Sequence, residues 1–128
     1  MSEFWKLSGL GVIGVLLFDT VASFASIGFQ FTYSYASVGS VLIYSTIGYI
    51  AFRRYGLALA IMAAILAGLA DATLGWFISW KIGPGALPNE QATISLIASS
   101  ITFVIIASVV CALLGAAISR VLHGRRLK

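Results

Sequence analysis

The fold is decided by residues 57–80, LALAIMAAILAGLADATLGWFISW, which open with an unbroken apolar run over 57–70. A helix that crosses a membrane needs about 20 mainly apolar residues. A strand of a membrane barrel would instead alternate polar and apolar residues over about 10 positions. Residues 57–70 show no such alternation, so this stretch predicts a membrane-spanning helix.

Three other stretches have the same character, and the composition of the whole chain agrees with them. The 128 residues are 60% apolar and 9% charged, with a mean hydropathy of +1.03. Soluble domains have about 45–50% apolar and about 25% charged residues, and disordered chains have low hydrophobicity. We therefore predict one all-α integral membrane domain over residues 1–128, a four-transmembrane-helix bundle. Its predicted spans are 7–27, 36–52, 57–80 and 94–119.

The positions of lysine and arginine predict the orientation. In a four-span arrangement, one side receives Lys6, Arg53, Arg54, Arg120, Arg125, Arg126 and Lys128. Only Lys81 falls on the other side. Cytoplasmic loops carry an excess of such residues, so both termini are expected in the cytoplasm, at an inner or plasma membrane. The net charge of +4 then indicates attraction to anionic lipid head groups rather than to nucleic acid. The predicted head-group contacts are Arg53, Arg54, Arg120, Arg125 and Arg126.

Spans one and three each carry an aspartate a little past the midpoint, Asp19 and Asp71. Spans two and four both end in a basic segment. This pattern suggests two tandem, parallel-related helical hairpins, as in some transporters. Coincidence is the alternative, because membrane segments draw on few residue types.

Asp19 and Asp71 are the only charges deep inside the predicted spans. A charged aspartate at the bilayer centre costs about 2.5–3.5 kcal/mol on insertion scales, so both are expected to face the bundle interior or water. At matching depths the two carboxyl groups can approach and share a proton, which suits proton coupling or the binding of a small cation. The alternatives are hydrogen bonds between helices and pairing with a basic side chain that reaches inward.

Polar side chains concentrate in the outer halves of all four spans, which predicts a polar pocket open to the outside. The predicted ligand-binding residues are Asp19, Asp71, Trp76, Tyr44, Ser23, Ser99 and Thr102. Serine and threonine can alternatively bond carbonyls of their own helix. Trp76 is placed either beside an organic cation, by a cation–π contact, or in an interfacial aromatic belt.

Small residues recur every four positions in span three, on two adjoining faces. One face holds Ala60, Ala64, Gly68 and Ala72; the other holds Ala63, Ala67, Asp71 and Gly75. Such stripes allow helix backbones to approach closely. Span three is therefore expected either at the centre of the bundle or against a second subunit.

The architecture resembles that of the small multidrug resistance transporters, with four short spans, an acid in the first (Asp19) and a tryptophan in the third (Trp76). The resemblance is confined to architecture, because that family carries a glutamate in its first span and its antiparallel members tend to have a weak charge bias. The two aspartates also resemble those of intramembrane aspartyl proteases, which place one acid in a Gly-x-Gly-Asp element. Here the element reads Gly68-Leu69-Ala70-Asp71 and lacks the second glycine.

Three functions follow from these patterns. The first is a small transporter or ligand-binding membrane protein whose acids bind a proton or cation, in a homodimer or larger assembly. The second is a structural or accessory subunit that assembles with a partner membrane protein. The third, less favoured, is an intramembrane enzyme. No catalytic residue and no cofactor are predicted, and the sequence does not determine whether a metal ion binds.

Overall fold

The computed structural model describes residues 1–84 and 93–124, and over these it is helical with short connections. Five α-helices follow the chain: α1 (Ser2–Phe29), α2 (Ser37–Tyr55), α3 (Leu57–Ala70), α4 (Trp76–Ile82) and α5 (Ile94–Gly124). A 3₁₀ turn, Tyr33–Ala36, leads into α2. A π-helical turn, Asp71–Gly75, joins α3 to α4, so that these two helices form one continuous rod.

Three of the described helical segments are long and apolar enough to cross a membrane. They are Ser2–Phe29, Leu57–Ile82 and Ile94–His123. The shorter α2 has 19 residues and carries Arg53 and Arg54 in its last turn. The prediction of an all-helical bundle is confirmed, and three of its four predicted spans meet the requirements of a membrane helix.

The helices extend beyond the apolar stretches that predicted them. The first begins at Ser2 rather than at residue 7, and an exposed ion pair of 2.7 Å joins Lys6 Nζ to Glu3 Oε1 in its first turns. Helical hydrogen bonds between backbone groups continue into polar residues, whereas hydropathy identifies only the apolar part of a helix.

The connection between α2 and α3 is a single residue, Gly56. Its φ of 86° lies in a region that glycine enters without steric cost, and its N–H bonds the Phe52 carbonyl over 3.0 Å. The predicted spans 36–52 and 57–80 left residues 53–56 as the connection. The structure places Arg53 and Arg54 in the last turn of α2 and leaves the reversal to the glycine.

The rod formed by α3 and α4 packs against all the other long helices of the described chain. Helix α3 contacts α1, α2 and α5, and α2 also contacts both α1 and α5; no contact joins α1 to α5 within the described chain. The small residues of α3 are buried in these contacts: Ala60, Ala63, Ala64, Ala67 and Gly68. These small-residue faces pack within the chain, and the contact of this span with a second subunit stays a prediction.

Helices α1 and α3 begin at the end of the bundle where α2 and α5 finish. Lys6, Arg53, Arg54 and Arg120 lie near this end, which we call the basic end. The opposite one is the far end. Arg125 and Arg126, also predicted to bind head groups, lie outside the described residues.

Helices α2 and α5 run parallel and touch through glycine. A Cβ atom at Gly48 would collide with the backbone of Ala112, and one at Gly115 would collide with the Ser45 carbonyl and lie 2.9 Å from the Tyr49 nitrogen. The two helices are therefore in backbone contact in the half towards the basic end. Nearer the far end, side chains of both helices line a cavity.

Candidate ligand-binding site

Two carboxyl groups meet at the centre of the site. Asp19 comes from α1 and is 2% exposed, and Asp71 opens the π-turn. They converge on Gly75, where a Cβ atom would collide with Asp19 Oδ2 and lie 3.1 Å from Asp71 Oδ1. The Tyr44 hydroxyl, from α2, donates a hydrogen bond to Asp71 Oδ2. The two acids that the sequence singled out are thus brought together around one glycine.

This pair has no basic side chain to balance it in the described part of the chain. The one ion pair there joins Lys6 to Glu3 at the surface, and Oδ2 of Asp19 has no hydrogen-bond partner among the described residues. Burying an ionised carboxylate is costly unless it is paired and hydrogen-bonded. Two adjacent carboxylates are therefore expected to hold a proton or to bind a cation.

The π-turn keeps Asp71 directed towards α1. Residues at intervals of four run along this rod: Ala63, Ala67, Asp71, Gly75 and Ser79. In an α-helix each such step advances by about 40° beyond a full circle, so the row would wind around the rod. A π-turn accommodates one additional residue and cancels much of that drift, and the Trp76 N–H accordingly reaches back to the Asp71 carbonyl. The sequence spacing predicted a regular helix here, without the π-turn.

A cavity of about 420 Å³ lies against the acid pair. Its polar lining comprises Asp19, Ser37, Ser40, Tyr44 and Asp71, and its apolar lining comprises Ala36, Val41, Phe103, Val104 and Ala107. A smaller cavity of about 190 Å³ is lined by Asp71, Ala72, Trp76, Ser100 and Val104. Since Asp71 and Val104 line both, the acid is reachable from two neighbouring spaces.

The seven sequence-predicted residues fall into distinct positions. Asp19, Tyr44 and Asp71 line the larger cavity, and Trp76 lines the smaller one. Ser23 is fully buried and lines neither of these cavities.

Ser99 and Thr102 lie outside both spaces. Each is exposed and bonds a carbonyl of its own helix: Ser99 Oγ donates to Leu96 O over 2.9 Å, and Thr102 Oγ1 to Ala98 O over 2.8 Å. Both were predicted to bind a ligand, but neither lines a cavity beside the acids. For these two residues the structure follows the own-helix alternative.

Gly75, Ser40 and Ser79 belong to the surroundings of the pair but were not among the predicted site residues. The signal for Gly75 and Ser79 was present as the four-residue interval that starts at Asp71. Residues at this interval share one face only because the π-turn is present. In a regular α-helix the same row would wind around the helix.

The outer tryptophans share one face, as the spacing predicted. The Trp76 and Trp80 rings stack with centroids 6.3 Å apart and planes 14° apart. Lys81 Nζ lies 5.7 Å from the Trp80 ring centroid, so Trp80 already has a cationic neighbour. Trp76 is the aromatic residue of this pair that faces the site.

Comparison of the chain with protein-family models, curated proteins and solved structures found no match.

Proposed function

We propose that the protein is a small four-span membrane transporter that binds a cation on Asp19 and Asp71 in exchange for a proton. The observation that supports this most directly is the meeting of two carboxyl groups, without a basic partner among the described residues, beside a cavity of about 420 Å³. In this proposal the basic end faces the cytoplasm of an inner or plasma membrane, and the far end faces outside. The exposed Arg53, Arg54 and Arg120 contact anionic head groups.

The exchange is balanced in charge. When the cation leaves, a proton binds to Asp19 or Asp71 in its place. One of the two carboxylate charges is therefore neutralised both in the cation-bound state and in the protonated state. This avoids the desolvation cost of two unpaired carboxylates. Protons and cations compete for the same oxygens, so cation binding strengthens as the pH rises.

The walls of the cavity favour an organic cation. Val41, Phe103 and Val104 supply apolar surface opposite the acids, and Trp76 lies on the other side of Asp71. A small quaternary or protonated amine with apolar substituents would match both the charge and the walls.

In one chain, the contact of α2 with α5 at Gly48 and Gly115 closes the space between these two helices in the half towards the basic end. Transport therefore requires these helices to separate, or a second chain to complete the path. A homodimer is the simplest assembly that provides the second chain.

The test measures proton release from the full chain in nanodiscs, in weakly buffered solution, on addition of tetraethylammonium or sodium ions. We expect release by the unmodified protein, and its loss in both Asp19→Asn and Asp71→Asn. The matched control is Glu3→Gln, which removes an exposed acid paired with Lys6 and is expected to release protons normally. Absence of release with either cation, or release that survives both aspartate substitutions, would contradict the proposal and favour an accessory subunit.

A further inference from the structure

Buried oxygens without a hydrogen-bond partner are concentrated at one place. Within the described residues there are four such side-chain atoms: Ser8 Oγ, Asp19 Oδ2, Ser23 Oγ and Ser79 Oγ. Three of them lie along the contact between α1 and the rod's outer part, α4. Ser23 and Ser79 are both 0% exposed. Leaving a buried polar group unsatisfied costs about 1–3 kcal/mol, so a cluster of three requires a physical explanation.

The register of α1 against α4 places these atoms in a row. Gly75 lies against Asp19, and a Cβ atom at Gly83, eight residues later, would lie 4.0 Å from Cδ1 of Ile27, eight residues after Asp19. The two helices therefore run parallel with constant register. Ser23 and Ser79 each lie one helical turn beyond this first contact, at the same level and on the side towards the far end.

The row continues to the end of α1. Ser26 is buried, and its Oγ donates to the Phe31 carbonyl over 2.7 Å, just beyond the left-handed residue Gln30 that ends the helix. Polar groups thus extend from the acid pair towards the far end. None of these three serines lines the larger cavity, which is reached from α2 and α5.

We infer that Ser23 and Ser79 bind water and form a proton path between Asp19 and the far end, separate from the cavity that receives the cation. The inference rests on the proposed function, since it assigns the proton and the cation different routes to the same pair. Buried water in proteins has two to four polar partners, and the hydroxyls of Ser23 and Ser79 have no partner among the described residues that would compete for this role. A proton moves from water at the far end to water at the serines and then onto a carboxylate oxygen, while the serine hydroxyls stay intact.

Two routes have a functional consequence. A cation in the cavity would obstruct a proton that had to use the same entrance. With a second route, the incoming proton reaches the pair from the α1 side while the cation leaves from the α2 side.

The experiment follows hydrogen–deuterium exchange of the aspartate carboxyl group by infrared spectroscopy, using the full chain in nanodiscs. We compare the unmodified protein with Ser23→Ala, Ser79→Ala and the double variant. We expect the double variant to slow exchange by about tenfold, equivalent to about 1.4 kcal/mol in barrier height. The matched control is Ser108→Ala, because Ser108 is equally buried but its Oγ already bonds the Ile105 carbonyl over 2.8 Å.

The Ser23 and Ser79 hydroxyls bond no other group among the described residues, so their removal breaks no protein–protein hydrogen bond and the alanine variants are expected to fold. Their thermal unfolding is recorded to check this. Unchanged exchange in the folded double variant would overturn the inference, and so would failure to detect a protonated carboxyl at any pH. A folding role alone predicts altered thermal stability with normal exchange.

Cation-induced proton release separates this inference from the proposed function. If the path is correct, the double variant releases as many protons as the unmodified protein at equilibrium, only more slowly. If no cation causes release but exchange still depends on the two serines, the proposed function fails and the proton path stands.

Discussion

The position that most restricts the site is Gly75, which bears no side chain. Asp19 Oδ2 occupies the space that a Cβ atom would need, and Asp71 Oδ1 borders it. The two acids can approach each other because the rod carries no side chain at position 75.

We expect Gly75→Ala to destabilise the protein and to weaken cation-induced proton release, because the new methyl group must displace a carboxyl group. Overpacking of this kind costs about 1–3 kcal/mol. Thermal unfolding and the proton-release assay measure the two effects. The matched control is Gly14→Ala, also in a helix but with nothing within 4 Å of the added Cβ. It is expected to be neutral or stabilising by up to about 1 kcal/mol; equal behaviour of the two variants would argue against the close contact at Gly75.

Among the structural elements, the π-turn Asp71–Gly75 has the clearest role. It accommodates one additional residue in an otherwise regular rod. As a result, the residues at intervals of four in α3 and α4 stay on the same side of the rod. π-turns often occur at functional sites, and this one carries Asp71 and ends at the glycine that receives Asp19.

Deleting Thr73 is expected to convert the π-turn to regular helix and to leave the protein folded. The Thr73 side chain is exposed, and its hydroxyl donates to the Leu69 carbonyl of the same helix over 2.6 Å. After the deletion, α3 and α4 would each present the same face to the bundle as before. Proton release should fall, because Asp71 and Gly75 would no longer be four residues apart. The control is deletion of Ile65, which lies inside regular α3. Removing this residue rotates the rest of the rod by about 100°, so the deletion should abolish folding. Size-exclusion chromatography and thermal unfolding distinguish the outcomes; loss of folding on deletion of Thr73 would contradict this account.

In the bundle as a whole, basic side chains gather at one end. The opposed helix directions place Lys6, Arg53, Arg54 and Arg120 there, and Lys81 near the other. This arrangement matches the bias of cytoplasmic segments and supports the proposed orientation.

Reporter fusions test the orientation directly. We expect a fluorescent protein fused after Lys128 to be bright, and alkaline phosphatase fused there to be inactive, since the phosphatase needs an oxidising compartment. Fusions after Pro84, between α4 and α5, should give the reverse. The opposite pattern at the two positions would place the basic end outside.

The tandem-hairpin hypothesis stays a prediction. The two acids do converge, as matching depths suggested. The packing of the hairpins is unequal, because α2 contacts α3 whereas α1 has no contact with α5 in the described chain.

The sequence by itself determined the helical class, the helix positions to within a few residues, the close-packing faces of α3 and the identity of the two acids. These depend on local composition and on helical periodicity, which act over short segments. Only tertiary structure decided the order of the helices and the contact of α2 with α5. It also decided that Ser99 and Thr102 lie away from the cavities and that the two acids meet at Gly75. They depend on how closely segments far apart in sequence can pack, and a regular 3.6-residue period cannot anticipate the π-turn that sets the direction of the site.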